Sequence, residues 1–204
     1  MCRNILADVR KAGLKKEAIC FVVSNVLTSV ANVAVLYATN DFTGTQASAV
    51  RKFIKESNSG VEIVFDQGIG DIFSARVAGN VLNDDIVGSM EFGCKVAGAK
   101  LIAVIGHSNC GAIKGAVDEV KLGNLTGLLN KVQPAIKQVP ADVQPRNSKN
   151  LGFVDKVAEA NVRLVMKQIR ERSPILREMI DQNQIGLVGG MYDISTGGVH
   201  FFDK

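Results

Sequence analysis

The sequence has no tryptophan and only two tyrosines among its 204 residues. A stacking platform for single-stranded nucleic acid needs aromatic rings spaced along a basic groove. No dense Lys/Arg run replaces them, so nucleic acid is not an expected partner. Proline is scarce as well, with four residues, which excludes a Pro-rich linker. Cysteine occurs only at positions 2, 20, 94 and 110, with no Cys-x-x-Cys pair. A chain of this length buries roughly 70% of the surface that its unfolded form exposes. It therefore needs no disulfide framework. A reducing compartment, the cytoplasm, with thiols available as metal ligands is the expectation.

What is present is ordinary for a globular protein: 47% apolar and 22% charged residues. Disorder, collagen and coiled coil are excluded as whole-chain readings. The net charge of +4 lies wholly in the first 60 residues, where eight Lys/Arg face four acids. Residues 18–40 carry no charge and follow Arg10, Lys11, Lys15 and Lys16. That pattern is compatible with an export signal ending near Ala38, or with a membrane anchor. Ser24, Asn25, Thr28, Ser29 and Asn32 interrupt it, and polar residues in that number disfavour a membrane helix. The preferred reading is two buried segments, Ile19–Val23 and Val33–Tyr37, joined by a polar turn.

Beyond residue 61 the periodicities sharpen. Asp71–Arg76 reads as a short strand and Asp84–Val96 as a helix. Leu101–Ile105 is a continuous apolar run, which marks a strand buried on both faces of a parallel sheet. Cys110–Val120 and Leu125–Lys137 read as helices, and Pro140–Asn150 as a loop. Val154, Val157, Asn161, Leu164, Val165 and Ile169 line one face of a long helix. Ser173 offers an N-cap and Pro174 a first helical position for another. Ile185–Val188 and Val199–Phe202 read as late strands. Helices alternating with buried strands predict an α/β fold with a mostly parallel central sheet flanked by helices.

The stretch LIAVIGHSNCGAIKGA, residues 101–116, carries the chemistry. A buried strand delivers His107 at its C-terminal end, where α/β sheets place their ligands. Cys110 then opens a helix, whose N-terminal dipole lowers a thiol pKa. Thiolate and imidazole both suit zinc. Spacing alone leaves two readings open. His107 and Cys110 can share a metal, or they can be a hydrogen-bonded turn residue and a small buried hydrophobe. Cys94 falls on the apolar face of its helix and reads as core. His200 reads as a surface or edge residue.

Residues 64–116 (VFDQGIGDIFSARVAGNVLNDDIVGSMEFGCKVAGAKLIAVIGHSNCGAIKGA), SPIL at 173–176 and GGMYDISTGGVHFF at 189–202 resemble the β-class carbonic anhydrases. The resemblance covers residues 61–204 and implies a β-carbonic-anhydrase type fold. It implies reversible hydration of carbon dioxide to bicarbonate at a zinc ion held by one His, two Cys and a water or an Asp. His107 and Cys110 match two of those ligands. Phe73 and Ala78 would lie near a small apolar pocket, and Gly79-Asn80 would shape the adjacent loop. A homodimer or higher homo-oligomer is implied too.

The family's Cys-x-Asp-x-Arg motif is missing from the residues before Val61. They read KFIKESNSG, without Cys, Asp or Arg. A partial echo stands upstream, where Val33–Tyr37 is followed by Thr39, Asp41 and Thr43. Asp41 is also an ordinary turn residue before Gly44. Residues 1–60 thus read as a divergent N-terminal segment and 61–204 as the α/β domain. Three expectations follow. The chain is a divergent carbonic anhydrase that completes its site with Cys20, Asp41 or a residue from a partner subunit. Or it is a non-catalytic relative that binds zinc weakly or not at all and acts as an oligomerising protein. Or it is an exported or membrane-attached version, held through residues 18–40. Catalytic residues beyond the two metal ligands are not identified.

Overall fold

A computed structural model of the chain describes residues 20–24 and 72–202. The strands are β1 (Cys20–Ser24), β2 (Ile72–Ala75), β3 (Leu101–His107), β4 (Gly186–Tyr192) and β5 (Val199–Phe201). They form one sheet in the order β2-β1-β3-β4-β5. All neighbours are parallel except β4 and β5. The helices are α1 (Asp84–Glu91), α2 (Gly111–Val117), α3 (Gly123–Asn130), α4 (Gln133–Gln138), α5 (Leu151–Arg172) and α6 (Pro174–Asp181). This is the α/β architecture that the sequence predicts. Among the described residues no helix is long and apolar enough to cross a membrane. Most of the stretch 18–40, Cys2, Thr39, Asp41 and Thr43 lie outside the described residues.

β3 is the spine of the domain. Every residue from Leu101 to His107 is buried. Alternate side chains face opposite ways, and the packing follows that period. Ile102 and Val104 join a cluster with Met90, Val162, Val165, Ile169 and Leu176. Ala103 and Ile105 pack instead with Ile72, Val188, Tyr192, Val199 and Phe201. A third cluster, built on Phe153, Val154, Val157, Ile113 and Val132, joins α5 to α2 and the segment between α3 and α4.

β1 fills the place between β2 and β3, so the N-terminal segment supplies a central strand. Its register is Cys20 to Leu101 and Ser24 to Ile105. The segment beside β3 is therefore Cys20–Ser24, which overlaps the first of the two buried segments read from the sequence, Ile19–Val23. The upstream echo had singled out Val33–Tyr37, which lies outside the described residues.

Helix ends follow their caps. Asn83 accepts from Ile86 N at 2.8 Å to start α1. Ser173 accepts from Leu176 N at 3.0 Å, with Pro174 at the first position of α6, as expected. Three expected helices are shorter. Asp84–Val96 divides into α1 and a π-helical turn, Phe92–Val96. Leu125–Lys137 breaks at Lys131–Val132, and α4 begins at Gln133 with Pro134 in its first turn. Proline lacks the N–H that would continue the preceding ladder. Cys110–Val120 contracts to Gly111–Val117, closed by Glu119 in the left-handed region at φ 54°.

Cys94 is 2% exposed in the main core cluster. Burial pushes its thiol up to about 11, with Lys100 opposing that shift. The thiolate is the reactive form, so Cys94 stays protonated at neutral pH. Iodoacetamide is expected to leave it unmodified in the native protein and to label it fully once the chain is unfolded. Peptide mass spectrometry reads the difference, and rapid native labelling would contradict this packing.

Candidate metal centre

The centre is built on the crossing from β3 into α2. His107 is the last residue of β3 and is 3% exposed. Gly106 precedes it because no side chain fits there. A Cβ at that position would stand 2.8 Å from both Met191 Sδ and Val162 Cγ2. β4 and α5 thus close on the strand where it presents the imidazole. The turn is held from three sides. Ser108 N donates to Tyr192 O at 2.9 Å. Ile194 N donates to Ser108 Oγ at 3.1 Å. Asn109, left-handed at φ 58°, donates its N–H to Asp155 Oδ1 at 2.8 Å. Cys110, 4% exposed, then stands at the N-cap of α2.

His107 Nδ1 lies 2.9 Å from the Ser108 carbonyl oxygen. A carbonyl can only accept, so the proton resides on Nδ1 and the Nε2 lone pair is left over. Nε2 is buried and has no hydrogen-bond partner. An imidazole pinned through one nitrogen to a backbone carbonyl, with the other bare, is oriented as metal-ligating histidines are.

Burial lowers the His107 pKa below 6.5, against the opposing effects of the Ser108 hydrogen bond and the Asp155 charge. In the unfolded chain this group titrates near its ordinary value of about 6.5. The folded protein therefore binds fewer protons than the unfolded one below that pH. The stability that depends on neutral His107 is full above about 6.5 and is lost as pH falls through the lower folded value. The metal-free protein should lose stability on acidification, and His107→Gln should flatten that part of the profile. Urea midpoints taken across this range check it; parallel profiles would overturn it.

The donor set fits zinc as far as it goes. One buried imidazole nitrogen and one buried thiol three residues later are both zinc donors. Among the described residues no group of three His, Cys, Asp or Glu is placed to hold a metal. Cys94 lies in the core, as the sequence indicates, and His200 is exposed on edge strand β5. Cys20 pairs with Leu101, at the opposite end of β3 from His107. Six residues of strand separate the two levels, about 20 Å at 3.3 Å per residue. The expectation that Cys20 completes the site of its own chain is therefore corrected by the strand register. Ala78 opens the 3-10 turn Ala78–Asn80, and Phe73 lies partly buried on β2.

The sequence model of the carbonic anhydrase family matches residues 56–199, well over half of the chain. The fold matches the β-carbonic anhydrase CafA of Aspergillus fumigatus with a TM-score of 0.68 and 18% identity, over 98% of this chain and 83% of that one. The chain belongs to the β-class carbonic anhydrases. Carbonic anhydrase 2 of Mycobacterium tuberculosis is 31% identical over 154 residues, 76% of this chain and 73% of the relative. One of two tetrameric β-carbonic anhydrases from Sordaria macrospora matches with a TM-score of 0.66 and 15% identity, over 99% of this chain and 93% of that one.

Three residues of this β-carbonic-anhydrase centre escape a reading of the sequence. Asp155 carries no local signal, because its link to Asn109 spans 46 positions. Ser108 acts through its backbone carbonyl, which any residue supplies. Asn161, whose Nδ2 donates to the Gly79 carbonyl at 2.8 Å, had a signal, a lone amide within the apolar stripe of α5.

Proposed function

We propose that this chain is a zinc protein that hydrates carbon dioxide reversibly to bicarbonate, with His107 and Cys110 as metal ligands. The observation that carries the reading is the bare, buried Nε2 of His107, pinned through Nδ1 three residues before a buried thiol. Zinc held there would supply a Lewis acid that lowers the pKa of water towards ~7. The Ser108 carbonyl keeps the proton on Nδ1, so the other nitrogen stays a donor. The Asn109–Asp155 hydrogen bond holds the turn between the two ligands. The apolar side chains of Met191 and Val162 pack against the strand at Gly106 and keep water from its flank.

Two protein ligands are fewer than the three that catalytic zinc sites use. Weak carbonic anhydrase activity is therefore expected. The lack of a third donor among the described residues favours a second reading, a non-catalytic relative that binds zinc loosely. A homodimer or larger homo-oligomer and a cytoplasmic setting belong to the same proposal. The first follows from the tetrameric relatives and the second from the widely spaced cysteines. Stopped-flow hydration of carbon dioxide by zinc-loaded protein, beside His107→Ala, tests the activity. Rates clearly above the variant support the enzyme, and equal rates support the non-catalytic reading.

A further inference from the structure

Among the described residues two buried side-chain polar atoms have no hydrogen-bond partner: His107 Nε2 and Asn80 Oδ1. Their residues are linked through the end of β3. Asn80 Nδ2 donates to the Ile105 carbonyl at 3.4 Å, and Ile105 lies two residues before His107 on β3. Asn80 is 4% exposed and sits in the left-handed region at φ 51°, directly after Gly79 at φ 72°. The Asn80 N–H closes the turn on Val77 O at 2.9 Å. The Gly79 carbonyl accepts from Asn161 Nδ2 at 2.8 Å. Asn161 is itself 2% exposed, on α5. A relay of buried amides thus runs from α5 through the Gly79-Asn80 turn to the end of β3.

The turn does not need this asparagine in order to form. Glycine adopts a positive φ without steric cost, and a buried amide oxygen without a donor is unfavourable. What the Asn80 side chain adds is a hold on the Ile105 carbonyl. The neighbouring Gly106 admits no side chain, so the last residues of β3 are fixed by backbone contacts. The Ala78–Asn80 turn also abuts α2, whose N-cap is Cys110. A Cβ on Gly79 would lie 3.6 Å from Ala112 Cβ. The same turn therefore touches the elements that carry both His107 and Cys110.

We propose that Asn80 is a positioning residue for His107: its amide holds the Ile105 carbonyl while Asn161 holds the turn, and together they fix the strand end that presents Nε2. The proposal rests on the zinc reading only for the identity of the metal. The chain has two histidines, so 15N-histidine labelling gives two rings, with exposed His200 as the internal reference. Three variants are compared in the metal-free state and in zinc titrations. Asn80→Gly keeps the left-handed backbone and deletes the amide. Asn161→Leu breaks the relay one step earlier and preserves an apolar helix face. Asn83→Ala removes the α1 cap, a structural loss outside the amide relay.

Wild type and Asn83→Ala are expected to show His107 as one neutral tautomer protonated on Nδ1, with equal zinc affinity. Asn80→Gly is expected to show mixed tautomers and zinc affinity weakened about 10-fold or more, the scale set by outer-shell partners. Asn161→Leu should move both readouts the same way, and it decides the matter should Asn80→Gly fail to fold. A single Nδ1-protonated tautomer and wild-type affinity in the relay variants would overturn the proposal. If wild type itself takes up no zinc, the metal reading fails, and the tautomer spectrum still judges Asn80.

Discussion

Replacing Cys110 with serine is expected to reduce zinc binding by well over the ~10–100-fold that follows loss of an outer-shell partner. Replacing Cys20 with serine is expected to leave zinc binding unchanged. The contrast follows from the strand register. Zinc–sulfur bonds measure about 2.3 Å, so both ligands must reach one point. Cys110 begins α2 three residues after His107, across a turn closed by Asp155 and Tyr192. Cys20 pairs with Leu101 at the far end of the same strand. About 20 Å of strand stands between that level and His107. Equilibrium dialysis against a zinc indicator, with His107→Ala alongside, gives the affinities. Loss of zinc in Cys20→Ser on the scale of Cys110→Ser would mean that the thiol arrives from another subunit.

The legible parts of this fold were those whose physics is local. LIAVI announced a strand buried on both faces because a parallel strand under helices has no solvent side. Its exit into Gly-His-Ser-Asn-Cys-Gly announced a candidate site because strand ends in α/β sheets carry ligands. Ser173-Pro174 announced a helix start, since a cap and a proline satisfy the first-turn donors in order. Other features depend on partners distant in sequence. Asn80 meets Ile105 across 25 positions, and Asn161 meets Gly79 across 82. Neither pairing leaves a periodic trace. The break at Lys131–Val132 is of the middle kind. Pro134 lies just after it in the sequence and cannot continue the hydrogen-bond ladder of a preceding helix. The place of Cys20–Ser24 in the sheet is a question of pairing. An uncharged run states that a segment is buried and leaves its neighbour unspecified.

Phe153→Ala is expected to cost about 3–5 kcal/mol of stability, the range for deleting a fully buried aromatic. At ~2–4 °C per kcal/mol for a domain of this size, the thermal midpoint should fall by roughly 6–20 °C. Phe153 is 0% exposed in the first turn of α5. Its own N–H donates to the Asn150 side chain at 3.2 Å, so ring and cap fix the same turn. The Arg146 guanidinium stands 4.6 Å from the ring centroid. That guanidinium donates to the carbonyls of Ile136 at 2.8 Å, Pro140 at 2.9 Å and Val139 at 3.2 Å. The ring therefore backs an arginine that ties the end of α4 to the following loop, and truncation leaves a cavity beneath it. Phe92→Ala is the control. Phe92 is 55% exposed, and a substitution there should stay within about 0.5 kcal/mol. Phe153→Leu should lose less than about 1.5 kcal/mol, because it keeps most of the apolar volume. The consequence reaches the candidate metal centre, since α5 also carries Asp155 and Asn161. Urea unfolding of the three variants under one condition gives the ranking. A Phe153→Ala protein within 1 kcal/mol of Phe92→Ala, on the order of a single surface effect, would show that the helix behind His107 is held elsewhere than at its first turn.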